Sequence, residues 1–171
     1  MYQEISEKMS SGDNQQETLT RNTPFYLGYF LSGFTEGEGS FIVSIRKHPD
    51  YRIKWKTSLT FNVSQKGDKI LLLFKKVLKC GHVRHRRDGI CYFEVVDFKD
   101  IIFKVIPFFQ KFPLMSEKAK DFKIFIKVAN LMADKEHLNK NGLKKILKLR
   151  KPMNKGGKNR RLDIKKILKE I

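Results

Sequence analysis

The chain has 171 residues, 40% of them hydrophobic and including 14 Phe, which is enough for one domain with a sizeable core and excludes global disorder. Its 36 Lys+Arg against 18 Asp+Glu give a formal charge of +18, a field that attracts phosphate polymers or anionic membranes but does not by itself separate an enzyme from a packaging protein. A membrane-spanning role is excluded at this stage because no apolar run approaches the roughly 20 residues that cross a bilayer.

Residues 1–22 are polar and without periodicity, and read as a flexible leader. Their acids (Glu4, Glu7, Asp13, Glu17) argue against a transit peptide, and no apolar signal-peptide core precedes them. Thr23-Pro24 is a helix start, with Thr as N-cap and Pro at the first helical position. Leu27, Phe30, Leu31 and Phe34 then share one apolar face, Gly28, Ser32 and Gly33 a small-residue face, and the helix ends in Glu36-Gly37-Glu38-Gly39.

Residues 40–46 alternate as a strand, His48-Pro49-Asp50 reads as a turn, and residues 55–64 alternate again. Trp55, Thr57, Leu59, Phe61 and Val63 fall on one side of that hairpin, and Lys56, Ser58, Thr60, Asn62 and Ser64 on the other. Asp68 is a candidate cap for a helix that runs through Leu78 and is closed by Cys80-Gly81. A second hairpin covers residues 82–86 and 90–96 around Arg87-Asp88-Gly89. Helices are expected at 97–110, with Pro107 kinking the last turn, at 116–132, at 142–150 and at the C-terminus. The order α-β-β-α-β-β-α predicts an α+β fold: an antiparallel four-stranded sheet with helices on one face. Residues 23–135 form the core domain in this reading and 136–171 a basic helical extension with a loop.

Glu36 and Glu38 sit at the negative end of a helix macrodipole, an unfavourable place for acids that a bound divalent cation would explain. Mg²⁺ takes one or two carboxylates plus water and phosphate oxygens, which describes a nuclease site better than a structural cage. Cys80 and Cys91 fit no metal-ligand pattern and are expected to be packing residues in a reducing, intracellular compartment.

The nonapeptide Leu31-Ser32-Gly33-Phe34-Thr35-Glu36-Gly37-Glu38-Gly39, followed by Ser40-Phe41, resembles the motif of the LAGLIDADG homing endonucleases. The resemblance extends through Phe61-Asn62-Val63-Ser64-Gln65-Lys66, Val83-Arg84, Ile106-Pro107-Phe108-Phe109 and Ser116-Glu117-Lys118, covering about residues 25–132 in the same order of elements. Met153-Asn154 with Gly156-Gly157-Lys158 is similar to members encoded in ribosomal RNA gene introns.

The resemblance implies an intron-encoded, Mg²⁺-dependent endonuclease that cuts double-stranded DNA to short 3′ overhangs, with Mn²⁺ or Ca²⁺ as other ions that bind. It implies Glu38 as metal ligand with the Gly37 carbonyl, and Glu36 as a residue that orders the helix end or bonds across an interface. One motif copy in one chain implies a homodimer, with Gly28, Ser32 and Gly33 suited to close helix approach. Gln65 would hold the attacking water, Lys69 would join the same network, and Lys118, with Lys120 as alternative, would stabilise phosphate charge. No arrangement of His, Ser or Cys suggests a covalent nucleophile.

The family's DNA-reading face would carry Ser44, Arg46, His48, Tyr51, Lys56, Ser58, Asn62, Arg84, Arg86 and Phe93 into the major groove, where a β-ribbon fits. A nine-residue strand at roughly 3.3 Å per residue tracks about 9 base pairs, so two half-sites imply a target of about 18–22 base pairs. Lys66 and the basic loop, including Lys155, Lys158 and Arg160, are expected on phosphates. A DNA-binding regulator or RNA maturase on the same fold, and a basic ribosomal or RNA-packaging protein, are the rivals. The abundance of Lys, Ile and Phe hints at an A+T-rich organellar or bacterial genome, so the compartment is an organelle or the bacterial cytoplasm.

Overall fold

Alternation in the two longest strands sets the architecture. In the computed structural model, which describes residues 23–154 and the pair 167–168, β1 (Gly39–Lys47) and β2 (Trp55–Lys66) pair antiparallel with Phe41 opposite Phe61 and Val43 opposite Leu59. Their apolar positions therefore coincide on one face, and Trp55, Thr57, Leu59, Phe61 and Val63 are all buried there. The second hairpin, β3 (His82–His85) and β4 (Ile90–Val95), adds to β2 to give a four-stranded antiparallel sheet in the order β1-β2-β4-β3. Helices cover the apolar face: α1 (Phe25–Glu38), α2 (Lys69–Leu78), α3 (Phe98–Asp100), α4 (Ile106–Lys111), α5 (Glu117–Ala133) and α6 (Lys140–Arg150). This is the expected α+β fold. No helix among the described residues is long and apolar enough to cross a membrane.

Phenylalanine rings fill the space between sheet and helices. Phe41 lies 5.0–5.3 Å, centroid to centroid, from the rings of Phe61, Phe109, Phe122 and Phe125, and Phe74 stacks on Phe93 at 5.7 Å. Aromatic contacts of this kind add about 0.5–1.5 kcal/mol to what burial alone contributes. Phe93 is fully buried in this cluster, so its expected place on the DNA-reading face is wrong. In β4 the core takes Cys91, Phe93 and Val95, and the polar face takes Ile90, Tyr92 and Glu94. Burying a Phe side chain is worth roughly 1.5–3 kcal/mol, which decides the register of this short strand.

Helix α1 starts one residue later than expected, with Pro24 in the N-cap position and Phe25 as the first helical residue. The expected apolar face holds at Leu31, which is fully buried, and at Leu27 and Phe34, which pack against the core, but part of the small-residue face is buried as well. Gly28 and Ser32, expected at a contact with a second helix, turn inward, while Phe30 is 54% exposed. The reason is Phe112: its ring occupies the position a Gly28 side chain would take, 2.3 Å from where a Cβ would lie. The Ser32 hydroxyl donates to the Phe112 carbonyl at 2.9 Å, so both small residues serve packing within the chain.

Between α3 and α4 the helix widens at residues Ile101–Val105 into a π turn, where the Ile106 N–H donates to the Ile101 carbonyl. This wide turn lies just ahead of Pro107, whose ring would crowd a regular α-helical turn, so the proline is accommodated without breaking the helix. Asp68 sits at the N-cap of α2 but makes no side-chain cap, because its carboxylate faces His85 Nε2 at 3.0 Å instead. The C-terminal residues are integral to the packing. Leu143, Ile146, Leu147, Met153 and Ile167 share the buried cluster with the rest of the chain. β1 is an edge strand, and the last described residues close that edge: Arg150 donates to the Val43 carbonyl at 3.2 Å and Asn154 Nδ2 to the Phe41 carbonyl at 3.1 Å.

These contacts lead to a stability expectation. Gly28→Ala should cost about 1–3 kcal/mol, because the added methyl overlaps a ring that is itself fully packed. Phe93→Ala should cost about 3–5 kcal/mol. Urea denaturation midpoints measure both, and an unchanged midpoint for Gly28→Ala would mean that the Phe112 ring moves aside at no cost.

Candidate active site and nucleic-acid surface

The acid-bearing end of α1 runs straight into β1, and the transition is tight. The Gly39 N–H donates to the Thr35 carbonyl, and a Cβ on Gly39 would fall 2.4 Å from the Thr35 methyl. Only glycine allows the chain to pass from helix to strand at this separation. As a result Glu36, Glu38 and the first strand residues are held together at one end of the sheet.

The two acids are treated differently. Glu36 is tied within its own chain to the start of α5: its carboxylate accepts from the Met115 N–H, the Ser116 N–H at 2.9 Å and the Ser116 hydroxyl. Of the two roles expected of Glu36, ordering the helix end is the one these contacts serve. Partial burial raises the Glu36 carboxyl, but the Ser116 and Met115 hydrogen bonds and the Lys118 charge outweigh it, leaving the group below its ordinary value. Glu38 is exposed, and its carboxylate makes no hydrogen bond or ion pair among the described residues.

Around this end lie the other expected catalytic residues. Lys118, in the first turn of α5, donates from Nζ to the Gly39 carbonyl at 2.5 Å. Lys120 is exposed and paired with Glu117 at 2.7 Å, so Lys118 is the lysine that reaches the acid end. Gly39 pairs with Val63, which sets Gln65 two residues further along β2, beyond the start of β1 and towards the end of α1. The Gln65 side-chain oxygen is buried and has no hydrogen-bond partner among the described residues. Lys66 and Lys69 follow at the β2–α2 junction, both exposed.

The donor set suits a Mg²⁺-like ion shared with a ligand. No cluster of three or more His, Cys, Asp or Glu that could hold a metal forms among the described residues. One free carboxylate with neighbouring carbonyls is instead the sparse oxygen set that leaves room for water and phosphate. The cysteines take no part, as expected. Burial, reinforced by Asp100, pushes the Cys80 thiol up to about 12, and Cys91 is buried.

The opposite face of the sheet is open and polar. Ser44, Ser58 and Asn62 are half-buried there, and Arg46, Lys56 and Arg84 exposed. His48 and Tyr51 lie in the β1–β2 turn with their rings 5.1 Å apart. Arg86 lies just past β3, where its guanidinium donates to the Tyr92 hydroxyl at 2.9 Å and pairs with Asp88 at 2.9 Å. Lys155, Lys158 and Arg160 lie outside the described residues. On the outer side of α1, a Cβ at Gly33 or Gly37 would meet nothing within 4 Å among the described residues, and Tyr26 and Phe30 are exposed there.

Sequence reasoning missed Ser116, Asp121, Arg150, Tyr92 and Glu94. Ser116 was legible as a helix cap but not as the partner of an acid 80 residues earlier. Tyr92 and Glu94 carry the same parity signal that places Cys91, Phe93 and Val95 in the core. Asp121, which accepts from the Asn154 N–H at 3.2 Å, gave no signal.

A model of the LAGLIDADG endonuclease family matches residues 31–129. A Neurospora crassa protein named probable intron-encoded endonuclease 2 is 34% identical over 131 residues, which are 74% of this chain and 29% of that relative. The chain thus spans less than a third of the length of that curated relative. Among solved structures, meganuclease I-SmaMI bound to uncleaveable DNA superimposes with a TM-score of 0.73 at 32% identity, over 75% of this chain and 45% of that one. The homing endonuclease I-TnaI gives 0.73 at 30% identity, over 84% of this chain and 94% of the other. The matched segment runs from the first motif residue, Leu31, through α1, the whole sheet and most of α5, and on this evidence the chain belongs to the LAGLIDADG endonuclease family.

Proposed function

We propose that this chain is a metal-dependent, site-specific DNA endonuclease that works as a homodimer on a roughly two-fold target of about 18–22 base pairs. The observation that carries the reading is the free carboxylate of Glu38, next to a Gly39 carbonyl held by the Lys118 ammonium. Glu38 and the Gly37 carbonyl would hold Mg²⁺, with Mn²⁺ or Ca²⁺ as substitutes. The ion would supply Lewis acidity at the scissile phosphate and lower the pKa of a bound water. I-SmaMI has been crystallised on uncleaved DNA in the presence of calcium ions, which supports a part for a divalent ion.

The remaining chemistry falls to side chains. The unpaired Gln65 oxygen is suited to accept from and orient the attacking water, with Lys69 nearby as a second contact. Lys118 offers a cation to the charge that builds on the phosphate oxygens. Hydrolysis by water leaves no covalent bond to the protein, and short 3′ overhangs are the expected product. The cationic sheet face would follow the major groove, with Arg46, Arg84 and Arg86 reading base edges and Lys66 and the 155–161 segment on phosphates. The name of the Neurospora relative supports an intron origin.

Cutting both strands needs two such centres, and the sequence carries one motif. The outer stripe of α1, with Tyr26, Phe30, Gly33 and Gly37 at helical spacing, is suited to meet its copy: open glycines permit close backbone approach and aromatic rings seal the flank. This replaces the Gly28 and Ser32 side as the interface and keeps Gly33.

Three measurements test the reading. Glu38→Gln should bind target DNA almost normally yet cut it several orders of magnitude more slowly, as followed by gel shift and Mg²⁺-dependent cleavage of the gene's own intron-less flanking DNA. Normal cutting would remove Glu38 from the mechanism.

Glu36→Gln should instead lower stability by about 1 kcal/mol at neutral pH, a modest figure because the site is partly solvated. The Glu36 carboxyl is lowered on folding, so its contribution is present above the unfolded value of 4.5 and lost as pH falls below it. The gap between wild type and variant should close in acid, and a gap that persists well below pH 4.5 contradicts the tie to Ser116.

Gly33→Leu should turn the dimer into a folded monomer in sedimentation equilibrium, since no described residue lies within 4 Å of a Cβ at this position. An intact dimer would exclude this interface.

A further inference from the structure

Among the described strand residues, Glu94 is the only carboxylate. It lies on the polar face of β4, opposite Asn62 of β2 and His82 of β3, in the row that holds Ser40 at the start of β1, since Ser40 pairs with Asn62. A negative charge on a surface that meets a polyanion is repelled by phosphates, so its presence needs a local partner that accepts it. One partner is in the structure: Arg84 Nη2 stands 3.6 Å from Glu94 Oε2, with Arg84 69% and Glu94 29% exposed. An ion pair this exposed is weak and loosens readily when a better partner arrives.

We propose that Glu94 and Arg84 act together as one reading unit for a C·G base pair, an inference that rests on the DNA-reading function proposed above. In the major groove, cytosine N4 is a donor and guanine O6 and N7 are acceptors. Glu94 offers an acceptor and Arg84 a fork of donors, the complementary pattern. The spacing agrees as well. Cytosine N4 and guanine O6 are hydrogen-bonded to each other at about 2.9 Å, a separation of the same order as the 3.6 Å between the two protein groups. Inverting the base pair to G·C would set acceptor against acceptor and donor against donor, so the unit distinguishes C·G from G·C and not merely G·C from A·T. Glu94 is thereby a specificity-determining residue, and its charge is neutralised in the free protein by the arginine that reads beside it.

The test is selection of bound duplexes from a randomised library by the full chain, followed by sequencing, with wild type, Glu94→Gln, Arg84→Ala and the exchanged pair Arg84→Glu/Glu94→Arg. Wild type should select a C·G pair at one position, repeated in mirror image in the second half-site. Glu94→Gln and Arg84→Ala should both relax that same position by about 5- to 100-fold, each melting like wild type. The exchanged pair should prefer the inverted base pair, a gain that a purely structural role would not produce. An unchanged consensus in Glu94→Gln, or relaxation at a position other than that affected by Arg84→Ala, overturns the composite unit while leaving DNA reading intact. A wild-type protein that selects no consensus overturns the DNA-reading function itself, and the unit with it.

Discussion

The structure depends on the junction between the end of the motif helix and the start of α5. A helix that ends in two glutamates has its dipole set against them, and one of the two is relieved by the opposite pole of another helix. Glu36 sits on the exposed N–H groups and capping hydroxyl at Ser116, so the negative end of α1 meets the positive end of α5 through a carboxylate. Two residues on, Lys118 takes the Gly39 carbonyl, and one turn further Asp121 takes the Asn154 N–H. A single helix start thus fixes the motif helix, the first strand and the residues leading to the basic C-terminal segment. Glu38 is left without a partner among the described residues, which is the condition for it to serve the proposed ligand.

This junction sets the proposed chemistry and the proposed reading surface side by side in one small fold. Phenylalanine packing commits the apolar face of the sheet to helices, so most polar strand positions face the other way, Thr57 being a buried exception. The twist and alternation of the sheet then deliver a cationic surface that ends where the free acid is. The exposed edge at β1 would be open to pairing with other strands, and Arg150 and Asn154 close it by taking its carbonyls.

Hydrogen bonds and ion pairs already hold arginines of the proposed reading surface. Arg86 is held by Tyr92 and Asp88, and Arg84 by Glu94. Long cationic side chains lose rotamer freedom on binding, and holding them in advance by weak, exposed contacts reduces that loss without locking them.

The sequence by itself determined the order of elements, because period-2 and period-3.6 alternation are local properties of the chain. It determined the acid-bearing motif and the side of the long hairpin that packs inward, since nine to twelve residues of alternation leave one register. It did not determine which way Phe93 points: Ile90–Val95 is short, and Tyr92 and Phe93 are both plausible core residues by type. Nor did it determine what the small residues of α1 pack against. Small residues at Gly28 and Ser32 suit a close neighbour of any origin, and only the folded chain supplies Phe112, 80 residues beyond Ser32, as that neighbour. The same holds for Glu36 and Ser116. Contacts between residues so far apart in sequence are set by how the layers pack, and packing is decided by the volume and direction of side chains that only the tertiary structure brings together.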